Sequence, residues 1–458
     1  MSRDTFVFTS ATLRSLRLQQ EFLDWERERR ALARRSAAVR RPLPPVRQNL
    51  VPRQTPESKY CRDTAIHGTL LSGDPVKVKS IFRDEAMANA IMETVQDEMV
   101  WSAELGHWVL TSKTKQSSAL RITASRGFTA CAKALLTAGA DVNASVGGTT
   151  ALHDACTGGH TDCVNLLLSY GANPNILSSE GCAPLHLCST PKTYQCAKLL
   201  VEYGATVNIH TKDSQLTPLH VAAKQGLEEH LALYLCHGAD IFSRNREGET
   251  ALNTACAGAE RPSEGGRYYR VVQRLLSSGA DPRVAGRKQH TPLHNACANC
   301  SYRIIKLLLE HGAEVNLTNC AGYSPMDCLL QVVEDYLEYE PERMVQSLLN
   351  HGALPVHPKM LKLCSSSPLT MEVLLNSYDN IPLCNSWVET VPPEVWQNHQ
   401  TFYESVLQMS KQPRRLQHLS RCALRRHLGA HCHSAITLLD LPQSLKVYLL
   451  LETEGCLK

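Results

Sequence analysis

Apolar and polar positions repeat along the middle of this chain with a period close to 33 residues. From Ser118 to Ala353, a leucine or methionine opens each unit and a glycine–alanine pair closes it. The opening residues are Leu120, Leu152, Leu185, Leu219, Leu252, Leu293 and Met326, with steps of 32, 33, 34, 33, 41 and 33 residues. Because two markers recur in register, the pattern predicts one structural unit repeated seven times.

Each unit has the pattern of two helices joined by short loops. In the unit that begins at Thr217, the threonine hydroxyl can cap a helix, and Pro218 suits the first turn, where no N–H donor is needed. An apolar second helix follows, as at 163–168, and Gly171 provides the left-handed residue that ends it. A single unit cannot bury its apolar face alone, so stacked neighbours must share one core.

The units resemble ankyrin repeats. The clearest copies, T-P-L-H-V-A-A at 217–223 and T-P-L-H-N-A-C at 291–297, are similar to the ankyrin signature. The resemblance implies an all-α solenoid with short β-hairpin loops. It also implies that the signature histidine is a hydrogen-bond bridge between neighbouring hairpins and not a catalytic group. Four copies have this histidine, as His153, His186, His220 and His294.

The array at 118–353 is preceded by two segments of different character. Residues 1–58 predict a separate basic arm. The pattern of residues 59–117 predicts degenerate repeats that cap the stack, since terminal repeats are usually atypical. Trp101 and Trp108 are expected to pack against the first clear copy.

Two units are longer than the others, and extra residues in repeat proteins usually form surface loops. The additional segments lie around Ala257–Arg267, in the fifth copy, and from Gln331 to Arg343, in the seventh. After the array, residues 354–411 predict a helical connector. A different pattern occupies 412–458.

A basic amphipathic helix is predicted from Pro413 to Leu428. Its apolar side chains are Leu416, Leu419, Leu424 and Leu428, and its basic remainder is Arg414, Arg415, Arg421, Arg425 and Arg426. A helix with this pattern either binds a partner or packs on the array.

The C-terminal segment resembles a SOCS box. The first half of that motif is a leucine, a cysteine and an aliphatic residue at four-residue steps. Leu416, Ser420 and Leu424 occupy these positions, with serine replacing cysteine. The second half resembles the cullin box, where Pro442 matches and Asp440 replaces a proline. The resemblance implies an Elongin C site at Leu416, Leu419, Ser420, Leu424 and Leu428. It implies a cullin site at Leu439, Asp440, Leu441, Pro442 and Tyr448.

An ankyrin array followed by this box resembles the ankyrin repeat and SOCS box family, over roughly residues 59–458. The resemblance implies a substrate-recognition adaptor of a ubiquitin ligase that contains Elongin B, Elongin C, cullin-five and its RING subunit. The array would bind a target protein, which is then ubiquitinated and degraded by the proteasome. The rival interpretation is an ankyrin scaffold whose last helices only cap the stack, and Ser420 and Asp440 favour it.

The motifs predict a protein without catalytic chemistry. The sequence has no glycine-rich phosphate loop and no RING-like cysteine spacing, so we expect no enzyme activity, no cofactor and no metal. Cys297-x-x-Cys300 has no second ligand pair at zinc-finger spacing. The 18 cysteines are scattered, and no apolar run reaches the ~18 residues of a membrane helix. We therefore expect reduced thiols and no membrane span.

The net charge of +4 is too small to predict nucleic-acid binding. Two arginine pairs lie just before Pro42 in the basic arm, Arg34-Arg35 and Arg40-Arg41. They fit either a nuclear localisation patch or a solvated tail. The expected location is cytoplasmic, with nuclear access.

A candidate substrate surface lies on two neighbouring hairpin tips. Their basic residues are Arg244, Arg246, Arg283, Arg287 and Lys288. Because consecutive hairpins stack side by side, these cations should be adjacent and could dock an acidic or phosphorylated segment. The alternative is ordinary surface charge.

Overall fold

The structure is a computed structural model, and it describes residues 60–102, 107–260, 264–381, 385–410 and 412–453. The predicted basic arm at 1–58 lies outside these residues.

Three short helices lie near the start of the described chain: α1 (Thr64–Ser72), α2 (Pro75–Ile81) and α3 (Glu85–Ala88). An aspartate caps each of them, and the carboxylates of Asp63, Asp74 and Asp84 accept backbone N–H bonds in the first turn. Leu70, Val78 and Phe82 are buried against the first clear copy of the repeat. These helices therefore close the N-terminal end of the core.

A long β-ribbon follows, where the sequence predicted degenerate repeat helices. Strands β2 (Ile91–Ser102) and β3 (His107–Ser118) pair antiparallel from Ile91↔Ser118 to Ser102↔His107, and β1 (Tyr60–Cys61) pairs parallel to the start of β2. Trp101 and Trp108 face each other across the strands with ring centroids 5.8 Å apart, and both are more than half exposed. The prediction that they pack against the first copy is wrong, because the two rings are exposed and contact each other across the paired strands.

The array consists of seven helix pairs, and each pair packs on the next. The first helices are α4 (Ala119–Ser125), α6 (Ala151–Gly158), α8 (Pro184–Leu187), α10 (Pro218–Lys224), α12 (Ala251–Gly258), α14 (Pro292–Ala298) and α16 (Pro325–Leu330). The second helices are α5 (Thr129–Thr137), α7 (Thr161–Ser169), α9 (Tyr194–Glu202), α11 (Glu228–Cys236), α13 (Gly265–Ser277), α15 (Tyr302–Glu310) and α17 (Pro341–Asn350).

Hairpin-like turns join the units, and backbone hydrogen bonds close most of them, such as Asn245 N–H to Glu249 O at 2.9 Å. The glycine that ends each second helix is left-handed, as at Gly171, where φ is 84°. A residue with a Cβ would be strained there.

The two longer units use their extra residues differently from the prediction of plain loops. In the fifth, part of the insertion extends α13, whose Tyr268 is buried and donates from its hydroxyl to Lys224 O at 2.9 Å. In the seventh, residues Val333–Tyr339 form a 3₁₀ helix with Val333 buried. Both insertions thus add apolar contacts to the core as well as surface.

The connector consists of a 3₁₀ helix (Pro358–Leu363), α18 (Pro368–Leu375), α19 (Asn385–Val388), α20 (Pro393–Asn398) and α21 (Gln400–Met409). The C-terminal helices are α22 (Leu416–Leu428), α23 (Cys432–Leu438) and α24 (Gln443–Leu449). They enclose a small core of their own, formed by Cys432, Ile436, Leu449 and Leu450.

Candidate protein-binding sites

Helix α22 presents its first two leucines to solvent. Leu416 is 80% exposed and Leu419 is 38% exposed, with Ser420 exposed beside them. Leu424 and Leu428 are half-buried and pack on the small core of α23 and α24. The predicted apolar stripe is therefore divided: its N-terminal half is open to a partner, and its C-terminal half holds the helices together.

The opposite face of α22 is buried, and it is basic. Arg421 is 3% exposed and donates to the Oδ1 and backbone O of Asn376 at 3.0 and 3.2 Å. Arg414 donates to the same Oδ1 at 3.2 Å. Both guanidinium groups lie within hydrogen-bond distance of His418 Nδ1, at 2.7 and 2.9 Å. A simple amphipathic helix would keep these arginines in solvent. The prediction that Arg414 and Arg421 belong to the polar side of the helix is therefore wrong.

Aromatic and main-chain groups complete this buried contact. The Arg421 guanidinium lies 4.2 Å from the ring centroid of Tyr448, a cation–π distance. His418 Nε2 is 2.8 Å from Tyr378 O. Because His418 Nδ1 accepts from two cations, Nε2 carries the proton and donates. Burial lowers the pKa of both Arg414 and Arg421.

A third arginine joins the box to the last repeat. Arg425 Nη1 donates to Asn350 Oδ1 at 2.7 Å and to Leu449 O at 2.6 Å. Asn350 and Gln346, both on α17, donate to Leu450 O at 3.0 Å. The box is thus fixed to the array by hydrogen bonds whose acceptors are neutral oxygen atoms.

The turn between α23 and α24 carries most of the predicted cullin site. Leu439, Asp440 and Pro442 are exposed there, whereas Leu441 is half-buried on the small core. Tyr448 is half-buried beneath Arg421 and serves the internal contact.

Sequence reasoning missed two exposed leucines on the same helices. Leu438 is 86% exposed and Leu445 is 40% exposed. A cleft of about 620 Å³ opens beside α22, lined by Leu445, Tyr448, Arg415 and Met409 among others. Both leucines adjoin the motif residues in sequence, so a search for apolar residues just outside the motif would have found them.

The basic residues of the candidate substrate surface lie on adjacent turns. Arg244 Nη1 donates to Ala285 O in the next turn at 3.2 Å, and Arg287 N–H donates to Glu247 O at 2.7 Å. Arg246 and Lys288 are exposed on the same two tips. Arg283 pairs with Asp281 at 3.0 Å. The five cations therefore lie on adjacent turns, although three of them already have partners, since Arg246 Nη1 donates to Asp213 O at 3.2 Å.

The signature histidines bridge neighbouring units. His294 Nδ1 lies 2.8 Å from Thr291 Oγ1 and accepts from the Thr291 N–H, so its Nε2 donates to Tyr323 O in the next turn at 3.1 Å. His153, His186 and His220 each bridge in the same way to the carbonyl oxygen of a following turn. Burial lowers the pKa of His294 to about 4.

The cysteine and histidine candidates for metal do not converge. Within the described ranges, no group of three or more histidine, cysteine, aspartate or glutamate side chains could hold a metal ion. Cys297 and Cys300 are buried, and burial raises the pKa of the Cys300 thiol to about 12. A thiol in that state is not a thiolate ligand. Over the same ranges, none of the helices combines the length and apolarity that a bilayer crossing requires.

Comparison with known proteins agrees with this division of the chain. Ankyrin repeat models match residues 91–178, 120–213, 185–262, 219–319 and 263–358, and the SOCS box model matches 412–450. Ankyrin repeat and SOCS box protein 16 of Mus musculus is 53% identical over 455 residues, covering 99% of each chain. The protein of the same name from Homo sapiens is 53% identical over 458 residues, covering all of both chains. Ankyrin repeat and SOCS box protein 18 of Homo sapiens is 46% identical, covering 81% of this chain and 82% of its own.

A solenoid with an exposed C-terminal box is the architecture of an adaptor that holds two proteins near each other. The chain belongs to the ankyrin repeat and SOCS box family. Membership assigns it a non-catalytic adaptor role in a cullin–RING ubiquitin ligase.

Proposed function

We propose that this protein is the substrate receptor of a ligase built from Elongin B, Elongin C, cullin-five and a RING subunit. The array captures a target protein, and the box brings it to the ubiquitin-transfer machinery for proteasomal degradation. The observation that carries the proposal is Leu416, which is 80% exposed at the start of a helix whose other side is fixed to the array.

Elongin C is the partner that this surface fits in the family. Burying a leucine side chain contributes about 1.5–3 kcal/mol, and a helix that is already ordered loses little entropy on binding. Leu419 and the small, exposed Ser420 adjoin Leu416 on the open side. A serine hydroxyl in place of a thiol leaves the shape of this side nearly unchanged.

Cullin-five would bind at the turn before α24. Leu439 and Pro442 are exposed there, and Asp440 is exposed between them. The exposed Leu438 extends this apolar surface by one residue. An aspartate in place of proline adds charge at this contact, so we expect cullin binding to be weaker than Elongin binding.

The test is co-expression of the full chain with Elongin B and Elongin C, followed by affinity measurement with Leu416→Asp. We expect a stable complex with the wild type and a loss of about 2–4 kcal/mol, or roughly 30-fold to 1000-fold in affinity, in the variant. Val76→Asp is the matched control, because Val76 is 76% exposed on α2, far from the box in sequence. A well-folded wild type that forms no complex would instead identify an ankyrin scaffold.

For the target protein, we propose the hairpin tips that carry Arg244, Arg246, Arg283, Arg287 and Lys288. Reversing the charge of Arg246, Arg287 and Lys288 together should abolish substrate capture and leave Elongin binding unchanged. Capture that survives the triple reversal would mean that these residues are ordinary surface charge.

We also propose that the protein works in the cytoplasm and has access to the nucleus. A fluorescent fusion should fill the cytoplasm, and deletion of residues 1–58 should reduce its nuclear fraction. An unchanged nuclear fraction would contradict a localisation role for the basic arm.

A further inference from the structure

A row of asparagine side chains links consecutive units just before each turn. Asn143 shows the geometry: its Nδ2 donates to Gly171 O at 3.3 Å, and its Oδ1 accepts from the Asn173 N–H at 2.8 Å. The same two bonds are made by Asn89, Asn175, Asn208 and Asn316. We call this row the asparagine ladder. It joins each unit to the following one through the backbone.

The asparagine ladder is broken at two consecutive units. In the repeat register, Phe242 and Arg283 stand where the other units have asparagine. A phenyl ring cannot form either bond, and Arg283 directs its guanidinium to Asp281 at 3.0 and 3.3 Å. Phe242 is 61% exposed. The fold therefore loses interunit bonds at this point and gains an exposed aromatic ring, a change that packing does not explain.

Two cations without a described ion-pair partner lie near the break in the asparagine ladder. Arg287 and Lys288 are exposed side by side on the tip, and neither has an ion-pair partner among the residues that the structure describes. The acids of these two turns are mostly occupied. Asp281 pairs with Arg283, and Asp240 accepts from the Phe242 N–H at 2.9 Å.

Two further acids stand on the tip before Arg287. Glu249 is half-buried and accepts from the Asn245 side chain at 3.3 Å, so its carboxylate is turned inward. Glu247 is exposed, and its backbone oxygen accepts from the Arg287 N–H. In these turns, Glu247 is the one exposed acid without a described side-chain partner. The two cations Arg287 and Lys288 therefore leave an excess of positive charge.

We propose that Phe242, Arg287 and Lys288 form a docking site for an extended acidic segment that carries an apolar side chain. The apolar residue would pack on the Phe242 ring, and carboxylates would pair with Arg287 and Lys288. This inference rests on the proposed function, because the segment would belong to the target protein.

The size of the site limits the ligand. Phe242 precedes Glu247 by five residues, or at most about 18 Å, and the Arg287 N–H donates to Glu247 O. The step to the next turn adds about 5 Å, so the backbones of the two halves are at most about 23 Å apart, which an extended peptide spans in roughly seven residues at about 3.3 Å per residue. The ligand should therefore have its apolar residue within about seven positions of its acidic residues.

The first experiment selects a phage library of random twelve-residue peptides on the full-length protein and on Phe242→Asn. The asparagine restores the two ladder bonds, so the variant should unfold at a higher temperature, by about 2–4 °C. The wild type should enrich peptides with the predicted spacing of apolar and acidic residues. Their affinities, measured by fluorescence anisotropy, should fall at least tenfold in the variant, although its fold is more stable.

The second experiment measures the selected peptides on the double variant Arg287→Glu, Lys288→Glu. We expect at least a tenfold loss of affinity, and no change in the control Arg126→Glu, an exposed arginine of the first unit. Three results would overturn the proposal: no enrichment on the wild type, enriched peptides without acidic residues, or equal affinity for Phe242→Asn. The Elongin assay is independent of these measurements, so a failure here is distinguishable from a failure of the adaptor function.

Discussion

The ankyrin array and the C-terminal box bury polar side chains in different ways. Between units of the array, the buried signature bridges are neutral: His294 accepts from Thr291 and donates to Tyr323 O. Where the connector meets the box, the buried bridging groups are cations, and Arg421 donates to the side-chain and backbone oxygens of Asn376 and to Tyr448 O. The repeated contact distributes its stability over many similar junctions, whereas the box depends on a single junction.

The difference has a physical consequence. Removing a neutral bridge lowers the stability of the fold by the contribution of about one hydrogen bond. The groups left unpaired add a further cost. A buried cation holds several acceptors at once, so its removal exposes all of them to an apolar environment. We therefore expect the box junction to be the more sensitive of the two.

The largest effect should come from Arg421→Ala. The change removes the bonds to Asn376 and to Tyr448 O, as well as the stacking on the Tyr448 ring. We expect the docking of α22 to lose about 3 kcal/mol, because buried acceptors remain unpaired. Hydrogen exchange of the α22 amides would measure the loss.

Arg426→Ala is the matched control for that prediction. Arg426 is on the same helix, but its side chain is 68% exposed where it pairs with Asp379. Exposed pairs contribute about 0–1 kcal/mol. If the α22 amides exchange at the same rate in both variants, the buried Arg421 contacts do not contribute more to docking than the exposed Arg426 pair.

A smaller effect is expected from His294 variants within the array. His294→Ala should lower the free energy of unfolding by about 2 kcal/mol, because the Thr291 N–H and Tyr323 O lose their partner. His294→Asn should cost less, since the fifth unit already uses Asn253, whose Oδ1 accepts from Thr250 and whose Nδ2 donates to Val284 O. Urea unfolding would compare the two. Equal losses would refute the bridging role.

The smallest effect should be a dependence of the array's stability on pH. Burial lowers the pKa of both His294 and His230 to about 4, below the ordinary value of 6.5. The folded state then binds fewer protons than the unfolded state between these values. Stability is therefore complete above about pH 6.5 and declines as the pH falls towards 4.

Urea titrations of the full chain at pH 7.5 and pH 5 would measure this decline. His294→Asn should show less of it, because asparagine does not titrate. A variant as sensitive to pH as the wild type would assign the dependence to other groups.

Much of the array follows from local sequence. Thr291 and Pro292 begin α14, because capping and the fixed proline φ act within one turn. The role of His294 was also correct as an implication of the family. These features depend on contacts within a unit or with its neighbour, so a short motif carries enough information.

The box could be predicted only in part. Exposure of Leu416 agrees with its motif, but the orientation of Arg414 and Arg421 was wrong. Their acceptor, Asn376, is 38 and 45 residues away in the chain. Helical periodicity alone places arginines in solvent, since it has no information on distant acceptors.

The sequence by itself determined the repeated unit, its period and the presence of the box, because each depends on residues within about one unit of each other. Only the tertiary structure decided which face of α22 is buried and that Trp101 and Trp108 lie exposed on a β-ribbon. It also showed that Phe242 breaks an otherwise regular ladder, since the bonds that define the ladder join residues about 30 positions apart. Long-range hydrogen bonds fixed the buried face of α22 and the ladder, and no local pattern specifies a partner at that distance.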